Sequence, residues 1–158
     1  KENIVINGED NLHGCEYKVM SDRIEAGTFM IIGGLLGNNL KIKNVDVNHV
    51  REVISVLKNI GVKIIEKEKE LIVSKGNNYM GVNVVVDTYP GFPTDLQQPL
   101  TVLLSKCNGV SSIKETIYPA RLSHIESLNE MNAKIEIKDN LINHLKKRIF
   151  SPTISIGK

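Results

Sequence analysis

The sequence is poor in the residues that build cross-linked or metal-centred proteins. Its two cysteines, Cys15 and Cys107, stand far apart with no CxxC or Cys/His spacing, which argues against a disulfide framework or a zinc site. The four histidines, His13, His49, His124 and His144, are equally scattered and form no HExxH motif. No charge sign prevails: 20 Lys and Arg against 18 Asp and Glu leave a formal charge of +2, too little for a whole-chain field that would seek nucleic acid or membrane. Aromatic residues make up only 4% of the chain, so RNA binding through a basic face and an aromatic stacking ladder is excluded as well. The longest mostly apolar runs, Phe29 to Leu36 and Leu100 to Leu104, fall well short of the roughly 20 residues that span a bilayer. No cleavable signal pattern, glycine-rich phosphate loop or GxSxG elbow is visible. The setting that remains is reducing and cytoplasmic, with no metal and no cofactor expected.

What is present suffices for one compact domain: 158 residues, 41% of them hydrophobic. Asp22-Arg23-Ile24-Glu25 has the form of a helix start, an acidic N-cap answered by Glu, and predicts a helix over 23–36. Its apolar positions crowd nearly the whole circumference, and Gly33 with Gly34 lets another backbone come close, so this helix is expected to be buried. A strand from Leu40 to Val45 follows, with Lys41 and Lys43 facing water. Val50, Val53, Ile54, Leu57 and Ile60 recur at helical spacing with polar residues between them, which predicts an amphipathic helix. Val62 to Ile65 and Leu71 to Ser74 then read as a hairpin around the charged stretch Glu66 to Glu70.

The same order returns: strand 82–86, buried helix 95–106, strand 110–117, amphipathic helix 124–132, strand 134–137 and a strand near 141–145. A shift of 71 residues sets one copy on the other, placing Ile42 on Ile113, Leu57 on Leu128 and Ile64 on Ile135. The expected class is therefore α/β (α+β), with repeated βαβαββ units, helices inside and sheets outside. Opening strands fall in 1–19, a first unit in 20–75, a second in 76–146 and an irregular tail in 147–158, all of one partial domain. Two units leave the inner helices partly uncovered, which predicts exposed apolar surface and a tendency to associate.

Three places carry candidate chemistry. Tyr89-Pro90-Gly91-Phe92-Pro93 makes a stiff loop, and Thr94 with Gln97 reads as a capping box at the mouth of the second buried helix. Asp95 then stands in the first turn, where free amides and the positive helix end favour a carboxylate that accepts hydrogen bonds from hydroxyls. A mere preference for helix starts is the commoner reason for such a residue. Arg23, at the mouth of the first buried helix, offers a rigid fork of donors for phosphate or carboxylate, and a surface ion pair with Asp22 or Glu25 is the plainer reading. Tyr118 and Arg121 follow the second unit's middle strand, at the kind of strand end where ligands bind. A turn in which Tyr118 covers the core edge is the alternative.

Leu12-His13-Gly14, the run from Asp22 to Phe29, Phe92 to Gln97 and Glu115 to Arg121 resemble, in order and spacing, motifs of the UDP-N-acetylglucosamine 1-carboxyvinyltransferase family of enolpyruvyl transferases. The match runs from about Asn11 to Asn140. Its Asp-Arg-Ile-Glu-x-Gly-Thr-Phe and Phe-Pro-Thr-Asp runs are specific to that family, whereas the related shikimate-pathway enzyme shares the fold with different residues here. The resemblance implies two domains, each of three βαβαββ units about an approximate threefold axis, with this chain a fragment of the second. Ligands lie in the cleft between the domains, towards which the inner helices point their positive ends.

The implied reaction moves enolpyruvyl from phosphoenolpyruvate to the 3-hydroxyl of UDP-N-acetylglucosamine in peptidoglycan precursor synthesis, with a complementary first domain as partner. Asp95 becomes the catalytic candidate, matching an aspartate that contacts the reacting hydroxyl and stands as a possible base. Ile117 matches a residue that touches the nucleotide sugar through its backbone, Tyr118 an aromatic that lines this region, and Arg121 and Arg23 cleft-facing arginines. In the family, the loop cysteine that donates a proton, a paired lysine and asparagine and the uracil-binding segment all belong to the first domain. None has a match here, and Cys15 and Cys107 correspond to no part of them, so the isolated chain is expected to be inactive. A further phosphoenolpyruvate-binding arginine is expected after Asn143, a stretch that 145–158 does not resemble. The alternative is a non-catalytic module that binds a sugar nucleotide or pairs with another chain.

Overall fold

The computed structural model describes residues 3–138 and 141–144; Leu145 and the tail expected over 147–158 lie outside the described residues. Helix α1 (Arg23–Leu36) begins where the Asp22 carboxylate accepts from the amides of Ile24 (2.7 Å) and Glu25 (3.1 Å), two donors that a helix start leaves unpaired. Strand β1 (Leu40–Lys43) follows, with Lys41 and Lys43 exposed as its alternation predicts. A 3-10 turn, Val47–Val50, leads into α2 (Arg51–Ile60), which buries Val53, Ile54, Val56, Leu57 and Ile60. Gly61, in the left-handed region, stops it, and the amide of Val62 returns to the carbonyl of Leu57. Strands β2 (Lys63–Lys67) and β3 (Glu70–Ser74) complete an antiparallel sheet of order β1-β3-β2.

The second unit repeats the plan with β4 (Asn83–Val85), α3 (Gln97–Leu104), β5 (Ser111–Lys114), α4 (His124–Glu130), β6 (Ile135–Lys138) and β7 (Leu141–His144). Its sheet has the order β4-β5-β7-β6, with β4 and β5 parallel and the other pairs antiparallel. The repeat holds down to hydrogen-bond register. Leu40 opposite Val73 becomes Ser111 opposite His144, and Ile64 opposite Val73 becomes Ile135 opposite His144. Even the helix stop recurs, since Asn132 takes the left-handed place of Gly61 and the Ala133 amide returns to the Leu128 carbonyl.

Helices α1 and α3 lie between the two sheets. A Cβ on Gly33 would fall 2.9 Å from Val73 of β3, one on Gly27 2.3 Å from Leu96, and one on Gly34 3.7 Å from Leu103. Gly27 to Gly34 and Leu96 to Leu103 are equal steps taken in the same sense. The two helices are therefore parallel, with both N-termini at one end of the molecule. Among the described residues no helix is long and apolar enough to cross a membrane.

Several local expectations need correction. Helix α1 is not buried all round: Phe29, Ile32 and Leu36 keep 45%, 40% and 78% exposure, because the two units supply neighbours on one side of it only. Their counterparts in the repeat, Leu100, Leu103 and Cys107, are buried, so this stripe is the uncovered apolar surface that two units were expected to leave. The opening strands expected within 1–19 do not form; residues 3–22 run without regular structure. A strand needs a ladder partner, and a groove of about 1110 Å³ separates Lys18–Asp22 from the free edge of β1. The segment is tied there by Ser21 Oγ, which accepts from the Asp46 amide at 3.3 Å.

The charged stretch Glu66 to Glu70 is mostly strand, shared between β2 and β3, with only Glu68 and Lys69 turning. Glu66 reaches α2 and pairs with Arg51 and, at 2.7 Å, with Lys58; the bond from Lys58 is the main reason its carboxyl lies below the ordinary value. The second inner helix is split, a 3-10 turn (Thr94–Leu96) preceding α3. Pro99 fits the first turn of α3 because an amide there has no helical acceptor to lose. The expected capping box is absent: the Thr94 hydroxyl donates to Glu115, and the side-chain carboxamide of Gln97 is buried with no partner among the described residues.

The close helix approach is testable at its tightest point. Gly27→Val drives a side chain into Leu96, and overpacking of this kind costs about 1–3 kcal/mol in urea unfolding. Gly14→Ala, with nothing within 4 Å of the added carbon, is expected to leave the midpoint unchanged. Equal midpoints for the two variants would contradict the helix packing.

Candidate functional site

Because β4 and β5 are parallel, the chain leaves both at the same end of their sheet. The loops that follow, 86–93 and 115–123, therefore lie together, at the strand ends where open α/β sheets bind ligands. The N-terminus of α3 opens there too, and so does that of α1, since the two helices are parallel.

Glu115 joins these pieces. It is only 2% exposed, and a buried carboxylate persists only where its lone pairs are met. Its Oε1 accepts from the amides of Ile117 (2.8 Å) and Tyr118 (3.0 Å), and its Oε2 accepts from the Thr94 hydroxyl (2.9 Å). The Thr116 hydroxyl donates to the Val86 carbonyl at 2.5 Å. The loop after β5 is thus stitched both to the end of β4 and to the turn that precedes α3.

Asp95 and Arg121 face outward from this base. Arg121 Nη1 donates to Asp95 Oδ1 at 2.6 Å, with 33% of the arginine side chain and 54% of the aspartate side chain exposed. At that exposure an ion pair adds only about 0–1 kcal/mol to folding. The Arg121 guanidinium also lies 4.9 Å from the centroid of the Tyr118 ring, and Arg23 sits 5.4 Å from that of Tyr89, both within reach of a cation–π attraction. No ion pair of Arg23 with Asp22 or Glu25 is present among the described residues.

Asp95, Tyr118 and Arg121 are thereby brought into contact with their neighbours in one cluster. Ile117 is held to the cluster by its amide, and Arg23 reaches the neighbouring loop through Tyr89. Asp95 occupies the 3-10 turn rather than the first turn of α3, and its partner is a guanidinium rather than helix amides. Glu115 and Tyr89 belong to the site, although the sequence motifs that contain them give neither a role. The signals for Glu115 were its place at the head of the Glu115 to Arg121 run and a carboxylate at the end of a strand, one residue before a candidate loop.

Behind the loop, His124 opens α4 with Nε2 3.4 Å from Thr101 Oγ1. The Thr101 proton is committed to the Gln97 carbonyl at 2.8 Å, so the neutral imidazole must carry its hydrogen on Nε2. Nδ1 is then a buried acceptor with no partner among the described residues, and burial lowers the pKa below its ordinary 6.5. Cys107 is buried and its thiol is pushed up to about 12 by that burial, which rules it out as a thiolate at neutral pH. Among the described residues no group of three or more His, Cys, Asp or Glu is placed to hold a metal ion.

A family model described as EPSP synthase (3-phosphoshikimate 1-carboxyvinyltransferase) matches residues 1–155. The chain is 42% identical over 137 residues to UDP-N-acetylglucosamine 1-carboxyvinyltransferase 2 of Listeria monocytogenes, a match covering 87% of this chain and 32% of that protein. It is 45% identical over 133 residues to UDP-N-acetylglucosamine 1-carboxyvinyltransferase 1 of Staphylococcus haemolyticus, covering 83% and 31%. The chain thus spans about a third of the length of the curated relatives it matches. Among solved structures, the enolpyruvyl transferase NikO from Streptomyces tendae superposes with a TM-score of 0.72 at 19% identity, over 79% of this chain and 30% of that one. At that identity the likeness speaks for the fold alone.

The buried imidazole gives a signed pH effect. With the folded-state value depressed, the unfolded chain takes up the proton first as pH falls, so stability drops below pH 6.5 and levels off beneath the folded value. Urea midpoints followed from about pH 7.5 to about pH 5 are expected to fall more steeply for the native chain than for His124→Leu. Parallel profiles would show that the imidazole titrates as freely when folded as when unfolded.

Proposed function

The chain belongs to the EPSP synthase family of carboxyvinyltransferases, and from that premise we propose that it is part of an enzyme moving enolpyruvyl from phosphoenolpyruvate to the 3-hydroxyl of UDP-N-acetylglucosamine. Phosphate is the other product, and the setting is cytoplasmic synthesis of peptidoglycan precursor. The choice of acceptor rests on the two relatives whose names carry that substrate, together with the Asp22 to Phe29 and Phe92 to Asp95 runs.

The observation that carries the reading is the outward-facing Asp95–Arg121 pair on a base held by Glu115. Transfer requires the sugar hydroxyl to give up a proton as its oxygen bonds to the enolpyruvyl carbon, and Asp95 is the acceptor placed to receive that hydrogen bond. Arg121, fixed against it, keeps one carboxylate oxygen turned away and offers its remaining N–H groups to an anionic substrate. Arg23 supplies a second guanidinium at the same end, Ile117 a backbone contact and Tyr118 a ring wall.

The pair is too wet to act alone. Charges on a half-exposed surface interact in high dielectric, whereas transition-state stabilisation needs a closed, preorganised cleft. A complementary first domain would form the opposite wall and bring the loop cysteine that serves the family as proton donor, to which neither the exposed Cys15 nor the buried Cys107 corresponds.

The isolated chain is expected to release no phosphate, and mixing it with the first domain of a relative is expected to restore turnover. In the mixture Asp95→Ala is expected to lower the rate at least about a hundredfold, the scale of a positioned acid or base. Turnover by the chain alone, or an unimpaired Asp95→Ala mixture, would remove the basis for this division of labour. If calorimetry detects sugar-nucleotide binding but no mixture turns over, the chain acts as a binding module instead.

A further inference from the structure

Building on that reading, we infer that Glu115 is a positioning residue: by fixing the direction of the Thr94 hydroxyl it aims Arg121 at Asp95. An ionised carboxylate can only accept hydrogen bonds. Its Oε2 therefore takes the Thr94 proton, at 2.9 Å, and leaves the lone pairs of that hydroxyl pointing elsewhere. Arg121 Nη1 stands 3.5 Å from the same Thr94 oxygen and 2.6 Å from Asp95 Oδ1. One guanidinium nitrogen is thus held between two acceptors. If the threonine proton pointed the other way, Nη1 would meet a donor.

The other oxygen of Glu115 bears on the same guanidinium through Tyr118. By accepting from the Ile117 and Tyr118 amides it closes the turn that carries the Tyr118 ring, 4.9 Å from Arg121. Burial is what lets the carboxylate impose these directions, because in a low-dielectric surround its hydrogen bonds are not exchanged for water. The two amide bonds close the loop on itself, whereas the bond to Thr94 both ties that loop to the turn before α3 and sets the direction of the hydroxyl. The bond to Thr94 is the part that reaches the site.

Glu115→Gln separates the two roles. Its amide oxygen still accepts from both backbone amides, while its nitrogen becomes a donor to Thr94 and turns the hydroxyl proton towards Arg121. In the full chain labelled with ¹⁵N, this variant is expected to keep the thermal midpoint and the exchange protection of the Ile117 and Tyr118 amides. The Arg121 Nε–H resonance is expected to move, and affinity for UDP-N-acetylglucosamine to weaken roughly tenfold, the worth of one charge-assisted hydrogen bond. Thr94→Val is expected to cause a similar loss by itself, with Glu115→Gln adding nothing in that background. Glu115→Ala is expected to lose the amide protection as well. An unmoved Arg121 resonance in Glu115→Gln, or a further loss of affinity on top of Thr94→Val, would overturn the positioning role. Since the resonance is read without ligand, a shift in a chain that binds no sugar nucleotide would uphold Glu115 and discard the substrate assignment.

Discussion

Gly27 bares α1 where it meets Leu96 at the turn into α3, Gly34 bares it against Val62, and the rest of the molecule depends on that bareness. With Leu96 and Leu103 seated against the exposed backbone, the helices run side by side in one direction and open at one end. A longer side chain at Gly27 would press on Leu96 and one at Gly34 on Val62, because a packed interior has no slack to absorb them. The parallel pairing of β4 with β5 adds the second constraint, delivering two loops to that same end. Helix mouths and strand exits then share a small region, and the polar chemistry collects there.

Two carboxylates in that region are used in opposite ways. Glu115 is sealed in and fully engaged, each oxygen accepting from a group of the surrounding frame. Asp95 is half out of the protein, with one oxygen bound to Arg121. Apolar packing holds the fold, through Leu96, Leu100, Leu103 and Ile113 in one unit and Met30, Leu57, Leu71 and Val73 in the other. The outward pair is of little use to that core, so its fixed geometry makes best sense as half of a binding surface. The uncovered stripe of Phe29, Ile32 and Leu36 shows the same incompleteness in apolar form.

Much of the fold was legible because its determinants are local. An acid before α1 and a glycine after it set both ends of that helix, and the spacing of Val53, Ile54, Leu57 and Ile60 set the buried face of α2. The 71-residue repeat, faint as residue identity, is unmistakable as strand register because register is enforced by which strand face is buried. What stayed hidden was set by distant partners. Thr94 and Gln97 carry the signature of a helix cap, yet the Thr94 hydroxyl found a carboxylate 21 positions away. Apolar spacing showed that α1 is rich in large side chains, but not that a neighbour is lacking for one stripe. Asp95 was singled out, whereas its link to Arg121, 26 positions on, is written in no local pattern.

The proposed function turns on one place: the outward carboxylate–guanidinium pair, at the shared mouth of two parallel inner helices, as the docking point proposed for the nucleotide sugar. It is tested most directly by titrating UDP-N-acetylglucosamine into the isotope-labelled chain and following every backbone amide by NMR. The account predicts that the perturbed amides are those of Thr94 to Gln97 and Ile117 to Arg121, with a weaker response at Arg23. Perturbations confined to the outer sheet faces or to the groove beside β1, with that end of the molecule silent, would contradict it.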